Sequence, residues 1–590
     1  MLTELYRYAL DHGLAAQPGF KPKRVKAYVL LSADGKFLGV HVREKDAPAV
    51  YAPDIGAAAN GTRYCNPLIE KAKIPLGIVE DPKGDKNVPT KHDFFLSMLD
   101  DGSTFEPVFA VLAQALRDQN VVQEMSEGLI QHKLKGGDPI GFMVDGAPVE
   151  ASSRYLPWWT KFRTMFSPEE ADVLPRCLIT GERKAALATV PKVSGLMIVV
   201  GHTAGDAFLC FDKDAFQSYG FKKSANAPVS EEAMTAVNAA LTDLIAKAPV
   251  LGNAKLVHWY SSEIAEEEDL MPILLEGEWD DEEDSDSDDG EKEKDALRAA
   301  KALIASIETG ERPERLHARY YMMPLSGANG RMMVRLWQEG SYEELYRNIK
   351  QWFEDLSLVS WNGRGQAKSP KLKALGIRLL KPGGDPKKVW SRMDEELPNL
   401  LQRLLSAIIN GTALPDEIPA RTLRWIRSSL LMSDEEKHAV PFDTETLAFQ
   451  LLKAWLSRRQ RLRGDEYPME ATCNDQVTRD VAYYCGQLMA VYVAIQRKAM
   501  PDVGVGVAER YYTAASANPA FALGKLAQLS QHHLGKLEPG LAHYFEDKIS
   551  DVMVKIGDRE IPAIMNMEQQ TEFALGYYQK RAALYIAKEK

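Results

Sequence analysis

At 590 residues the chain is too long for one compact core, and usual domain sizes imply roughly two to four domains. Its 45% apolar and 26% charged residues are the balance of a globular protein, and no apolar run approaches the roughly 18 residues of a membrane helix. The net charge of -11 would speak against a nucleic-acid partner, but thirteen acidic residues and two lysines within 276–295 account for all of it.

That segment, with WDDEEDSDSDDGEKEKD at its centre, repels itself and is too polar to bury a core, so it is predicted to be an exposed, disordered insertion. Electrostatic mimicry of nucleic acid is the alternative role for it. The first residues, MLTELYRYALDHGL, carry an acidic group early and lack the apolar stretch of a signal peptide, so a cytoplasmic protein is expected. Five cysteines (Cys65, Cys177, Cys210, Cys473, Cys485) form no C-x-x-C pair, which predicts neither a metal site nor a disulfide framework.

In chain order, a helix is predicted over 2–14. Strands over 24–31 and 37–42 flank Ser32-Ala33-Asp34-Gly35-Lys36, the pattern of a hairpin with a glycine turn. A loop rich in small residues over 51–66 follows, then Lys71, Lys73, Lys83, Lys86 and Lys91. Asn60, Gly61, Thr62, Arg63 and Asn66 near its end combine close backbone approach with donors suited to base edges or phosphates, or else form a plain surface loop. Helices are predicted around 94–99, 106–117 and 167–173. A further sheet region is predicted over 177–182, 196–200 and 208–211, and Ser230 caps a helix running to about 248. A strand near 256–260, the acidic segment and a helix over 296–308 come next.

The stretch 324–356, PLSGANGRMMVRLWQEGSYEELYRNIKQWFEDL, joins a turn, a strand and a helix. Alternation over 331–337 puts Met332, Val334 and Leu336 on one face, and Arg331, Met333, Arg335 and Trp337 on the other. Ser341 with Glu344 makes a capping box for a helix whose apolar stripe is Leu345, Ile349, Trp352, Phe353 and Leu356. The glycine-punctuated turn 326–330 has backbone N–H groups, with Asn329, placed to meet an anion, or is an ordinary loop. Beyond about 390 the strand signal disappears, and helices are predicted over 397–410, 422–432, 445–463, 475–500, 519–537, 540–556 and 567–588. Along 475–500, Val481, Tyr484, Leu488, Val491, Tyr492 and Ile495 form one apolar face. Lys453, Arg458, Arg459, Arg461 and Arg463 crowd one helix end, either solvated and favoured by the helix dipole or tracking phosphates. The chain therefore reads as α+β: a mixed α/β N-terminal region with antiparallel strands, followed by an all-α C-terminal bundle. Its expected parts are 1–275, the acidic 276–295, the strand-turn-helix continuation 296–390, a helical connector 391–468 and the bundle 469–590.

No phosphate-binding G-x-x-x-x-G-K-[ST], H-E-x-x-H or G-x-S-x-G pattern is present, so no cofactor or metal is expected. His532 and His533, predicted mid-helix, diverge by about 100° and do not make one ligand face. This favours a binding protein over an enzyme, with a nuclease whose site escapes motif reading as the alternative.

Several separated stretches, in order, resemble the large subunit of the type I-C CRISPR interference complex, Cascade. They are the N-terminal helix with the Asp34-Gly35 hairpin, CLITGE (177–182), SYGFKKSANAPVS (218–230), LSGANGRMMVRLW (325–337), AASANP (514–519), HHLGKL (532–537) and FALGYYQKR (573–581). One departure is Val190-Pro191, where a His-Pro pair is expected. The resemblance implies a non-catalytic subunit at the guide RNA's 5′ handle that recognises the short motif flanking the target in double-stranded DNA and promotes R-loop formation. It also implies as partners the backbone repeats, the handle-binding subunit, small subunits, the displaced strand and a recruited helicase-nuclease. The loop residues Asn60, Gly61, Thr62, Arg63 and Asn66 are assigned to the flanking motif. Asn329, Arg331, Arg335, Lys453, Arg458, Arg459 and Arg461 are assigned to nucleic-acid backbone. The bundle 469–590 resembles the small subunit, which in this family is also made from an internal start, here Met469.

Overall fold

The computed structural model describes residues 1–587 apart from 15–18, 45–46, 167–173, 188, 265–268, 277–317, 371, 384–387, 433–445, 466–468, 474–476 and 502–504. The helices predicted over 167–173 and 296–308, and nearly all of the acidic segment, lie outside the described residues. The chain forms two compact units.

The first unit comprises 1–195, 202–246 and 329–332. It opens with helix α1 (Leu2–Asp11), then strands β1 (Phe20–Lys23), β2 (Ala27–Leu31), β3 (Phe37–Val42), β4 (Val50–Pro53) and β5 (Glu70–Lys71). Helices α2 (Val88–Gly102), α3 (Pro107–Arg117) and α4 (Gln119–Gln131) precede β6 (Pro139–Val144) and β7 (Ala147–Pro148), with α5 (Leu156–Phe162) and α6 (Glu231–Lys247) after them. The predicted hairpin forms: β2 pairs antiparallel with β3, while β6 joins the other side of β2 in parallel. A parallel neighbour requires a long crossover, and α2 to α4 supply it. Phe95, Phe109, Leu112, Phe142, Trp158 and Trp159 fill the core between sheet and helices. Ser230 caps α6 as predicted, its Oγ accepting from Ala233 N at 3.3 Å.

The sheet region expected over 177–182, 196–200 and 208–211 does not form. Isolated bridges such as Arg176 with Arg183 and Val193 with Asp206 stand in its place, and Met197–Val199 is a 3-10 turn. Glycines at 181, 195 and 205 all take positive φ, which turns the chain beside these stretches.

The second unit comprises 196–201, 247–328 and 333–590. It contains β8 (Val250–Leu251), β9 (Ala254–Tyr260), α7 (Leu270–Glu276), β10 (Arg319–Ala328), the last two residues of β11 (Arg331–Val334), β12 (Gln338–Ser341) and α8 (Tyr342–Leu356). The sheet order is β11-β10-β9-β8, with β12 also on β10. The capping of α8 is as predicted, Ser341 Oγ accepting from Glu344 N at 3.1 Å. The turn is shorter than expected: Ser326, Gly327 and Ala328 belong to β10, and Asn329-Gly330 alone turns the chain, with φ of +52° and +81°. That is the Asn-Gly hairpin pattern, in which both residues take positive φ. β11 ends at Val334, so 335–337 lie outside the strand.

Among the described residues the remaining regular elements are helices: α9 (Leu372–Ile377), α10 (Val389–Glu396), α11 (Pro398–Ile409), α12 (Glu417–Ser429), α13 (Thr446–Arg463), α14 (Val481–Ala499), α15 (Val507–Ala517), α16 (Pro519–Leu534), α17 (Pro539–Ile556) and α18 (Met567–Ala587). The single apolar face expected for α14 is a correction: Tyr483, Cys485, Met489, Ala490 and Val493 are buried as well, so α14 is the enclosed centre of the bundle. His532 and His533 lie in the last turn of α16, not mid-helix. The fold is α+β, strands first and helices last.

Candidate nucleic-acid interface

The loop after β4 is built from the inside out. A 3-10 turn, Gly56–Asn60, follows Ile55, whose backbone N donates to Asn66 Oδ1 at 3.1 Å. Asn66 also donates to Glu70 Oε2, through its backbone N at 3.0 Å and its Nδ2 at 3.3 Å. Lys91 of α2 donates to Ala59 O at 2.8 Å, and Tyr64 packs edge-on against Phe94 and Phe166. Both ends of the loop are thereby fastened. Between them Asn60, Gly61, Thr62 and Arg63 are all exposed, with the Arg63 guanidinium 5.5 Å from the Tyr64 ring centre. Asn66 is a fastener, turned to the protein's own backbone and Glu70. Gly61 has φ of -72°, which any residue adopts, and a Cβ there would lie 3.3 Å from Ala58 O. Of the following lysines, Lys73 pairs with Asp85, whereas Lys71, Lys83 and Lys86 are exposed.

The hairpin tip in the first unit carries Asn329 and Arg331, both exposed. Ala207 N donates to Gly330 O and Met332 N to Ala207 O, each at 2.9 Å, so a backbone clasp fixes where Arg331 emerges. Its guanidinium lies 5.2 Å from the centre of the Phe216 ring, an arrangement that orders the cation without neutralising it. Nothing in the sequence marked Phe216 as its partner, because the two are far apart in the chain. In the second unit Arg335 is half-buried, its Nε donating to Ser326 Oγ at 2.7 Å. Arg335 N donates to Pro324 O at 2.9 Å.

The basic end of α13 is different. Arg458 is buried, its Nε 3.1 Å from Asp355 Oδ2 and its Nη1 2.9 Å from Ala407 O. Arg461 Nη2 reaches Asp355 Oδ1 at 2.6 Å. Lys453 is buried too and donates to Glu354 O at 3.1 Å and Asp355 O at 3.0 Å; burial pulls its pKa down to about 8, opposed by Asp355. Arg459 pairs with Asp416 at 2.9 Å and lies 5.0 Å over Trp455, and Arg463 pairs with Glu568 at 2.7 Å. These cations are engaged with carboxylates and carbonyls of their own unit, and for Lys453 and Arg458 burial closes the route to an external phosphate. The sequence showed the cations but not Asp355, about a hundred residues upstream, that draws them in.

Among the described residues no three His, Cys, Asp or Glu side chains converge as metal ligands would, and no helix is long and apolar enough to cross a membrane. Arg63 and Arg331 are thus presented on fastened loops, each beside an aromatic ring, and Arg331 also acts on the Asp212 carboxylate, whose pKa is lowered chiefly by the Cys210 thiol. The family model for the CRISPR-associated protein Cas_Csd1 matches residues 2–585, and the chain belongs to that family. This is consistent with the resemblance to the type I-C Cascade large subunit and makes the chain a CRISPR-associated Cascade component. No curated protein matches the chain.

Proposed function

We propose that this chain is the non-catalytic large subunit of an RNA-guided surveillance complex, that it reads the motif flanking the target in duplex DNA, and that it promotes R-loop formation there. The observation that carries this reading is the Asn60–Arg63 loop. Amide, hydroxyl and guanidinium donors stand exposed on a backbone held by Asn66, Glu70 and Lys91. Donors held in place suit base-edge recognition, because ordering them on binding costs little. Lys71, Lys83 and Lys86 supply sequence-independent attraction to phosphates. Asn329 and Arg331 on the tip, and Arg335 in the second unit, contact nucleic-acid backbone, the guide's 5′ handle being the assigned ligand. The partners are the guide RNA, the target and displaced strands, the other Cascade subunits and the helicase-nuclease. A nuclease reading has no observation in its favour and is tested by metal-dependent cleavage on the isolated chain.

The test is a guide-loaded complex carrying Thr62→Ala with Arg63→Ala. Each well-placed base contact is worth about 1–3 kcal/mol, so affinity for a matched duplex bearing the flanking motif should fall about tenfold or more. Affinity for a target already opened into a bubble should hold. Equal loss on both substrates would return the loop to a general electrostatic role.

A further inference from the structure

Behind the exposed run 60–63 lies a set of charges turned inward. Lys23 stands on β1, which pairs antiparallel with β4 so that Lys23 lies opposite Val50. Its side chain is 13% exposed, and its Nζ donates to Pro53 O at 2.9 Å and lies 3.5 Å from Asp54 Oδ2. Asp54 Oδ1 in turn accepts from Gly56 N and from Lys21 Nζ, each at 2.8 Å, which fixes the loop's entry. At the exit, Ile69 N donates to Pro67 O at 2.7 Å across Leu68, whose φ is +63°. That is the φ of the rare, strained γ-turn, adopted here by a buried leucine. Glu70 follows it, turned back on Asn66 N and Nδ2. Electrostatics tie the two ends together through Lys23. Burial pulls the Lys23 pKa down, opposed by Asp54 and then by Glu70. Burial pushes up the Cys65 thiol between them, with Glu70 adding to the rise and Lys91 and Lys23 opposing it. Burial also raises the Asp54 carboxyl, but Lys23 and Lys21 outweigh it and hold that group below its ordinary value.

We propose that Lys23 is a positioning residue for the 60–63 loop: one buried cation answers both Asp54, which holds the loop's entry, and Glu70, which holds its exit. Without that charge Asp54 keeps only Lys21, which is 44% exposed and screened by solvent. Glu70 loses a buried countercharge, and a carboxylate so placed gains by turning to water or taking a proton. Either change releases Asn66, and a strained turn such as that at Leu68 persists only while its surroundings enforce it. Lys23 touches no ligand; it acts through Asp54, Glu70 and Asn66 on where Thr62 and Arg63 stand. Its effect on which flanking sequence is accepted rests on the motif-reading role proposed above, whereas its hold on the loop does not.

Two measurements test this. Amide hydrogen exchange on the full chain reads the N–H groups of Ile55, Gly56 and Asn66, each bonded to a side chain. Lys23→Met, which keeps an unbranched apolar stem and drops the charge, should speed exchange in peptides covering 55–66 about tenfold, as loss of hydrogen bonds to charged groups does. Lys23→Arg should leave it unchanged. Adding Glu70→Gln to Lys23→Met keeps an acceptor for Asn66 and removes the uncompensated charge, so part of the protection should return; a packing role for Lys23 would give no such recovery. Selection by the guide-loaded complex from duplexes with randomised flanking bases then reads selectivity. Lys23→Met should lower enrichment of the wild-type sequence about fivefold or more, with affinity for a bubble target unchanged. Loop exchange unchanged in Lys23→Met, exchange raised throughout the first unit, no recovery with Glu70→Gln, or undiminished enrichment would overturn the inference. Faster exchange confined to 55–66 in a protein whose wild type enriches no flanking sequence would overturn the motif-reading proposal and leave the positioning role standing. Unchanged loop exchange beside a clear wild-type preference would do the reverse.

Discussion

Gly327 shows how one residue constrains its neighbourhood. A Cβ there would lie 2.2 Å from Gly201 Cα and 2.6 Å from Val200 O, a crossing that only two glycines permit. Val200, held in the same turn, takes φ of +67° although it is β-branched and exposed, a conformation the surroundings must enforce. Gly327→Ala is therefore expected to cost about 1–3 kcal/mol by overpacking, read as a lower denaturation midpoint. Glu572 is the second such residue. Burial raises its pKa to about 8, opposed by Arg479 and reinforced by Asp480 and Glu568, while Gln460 Nε2 donates to its Oε1 at 3.0 Å. Its folded pKa lies above the ordinary carboxylate value. The folded state thus holds the extra proton between about pH 4.5 and 8, and the group's stabilising contribution is lost as pH rises through that window. Glu572→Gln keeps an acceptor for Gln460 and removes the titration, so unfolding midpoints of the variant should fall less than those of the parent from pH 5 to pH 8.5.

At the level of elements, the end of α13 is a clamp on α8. Asp355, wholly buried, answers Arg458 and Arg461 together, while Lys453 holds the last carbonyls of α8 where the helix dipole leaves negative charge. Removing one partner of a buried pair strands the other, so Asp355→Ala should cost about 3–5 kcal/mol, measured by chemical unfolding. The helix of Thr446–Arg463 was legible in the sequence because its ends and composition are local properties. The destination of its cations was not, since it is decided by a carboxylate far away in the chain. The same division holds elsewhere. The Asp34-Gly35 hairpin, the Ser341 cap and the Ser230 cap were readable because each is settled within a few residues. The sheet expected around 177–211 is replaced by turns and isolated bridges, because a short apolar run does not by itself name the strand it would pair with. The parallel pairing of β2 with β6 and the enclosure of α14 depend on segments far apart, and no local pattern carries them. In the loop of 60–66 the sequence supplied the right neighbourhood, and the structure divided it into an exposed part, Asn60 to Arg63, and the inward Asn66.

For the whole molecule, the net charge of -11 describes the acidic segment better than the surfaces that would meet nucleic acid. If Arg331 and Arg335 engage guide RNA backbone, Arg331→Ala with Arg335→Ala should reduce assembly on guide RNA and lower the slope of log affinity against log salt by about one to two, with flanking-motif preference unchanged. The internal start proposed at Met469 meets a structural condition: Met469 is buried, its N donating to Gln460 Oε1 at 2.9 Å and its O accepting from Ser457 at 3.1 Å. A polypeptide starting there lacks α13, leaving the Glu568, Glu572 and Tyr578 face of α18 without its cover. N-terminal sequencing of a short co-purifying polypeptide should return Met469, and another start would refute the assignment. The central claim, that this subunit reads a motif beside the target through Asn60 to Arg63, is tested most directly by selecting bound duplexes from a library. Its members share a guide-matched target and carry randomised flanking bases. The wild-type complex should enrich one short flanking sequence and the Thr62→Ala, Arg63→Ala complex should enrich none; the same sequence enriched equally by both would contradict the account.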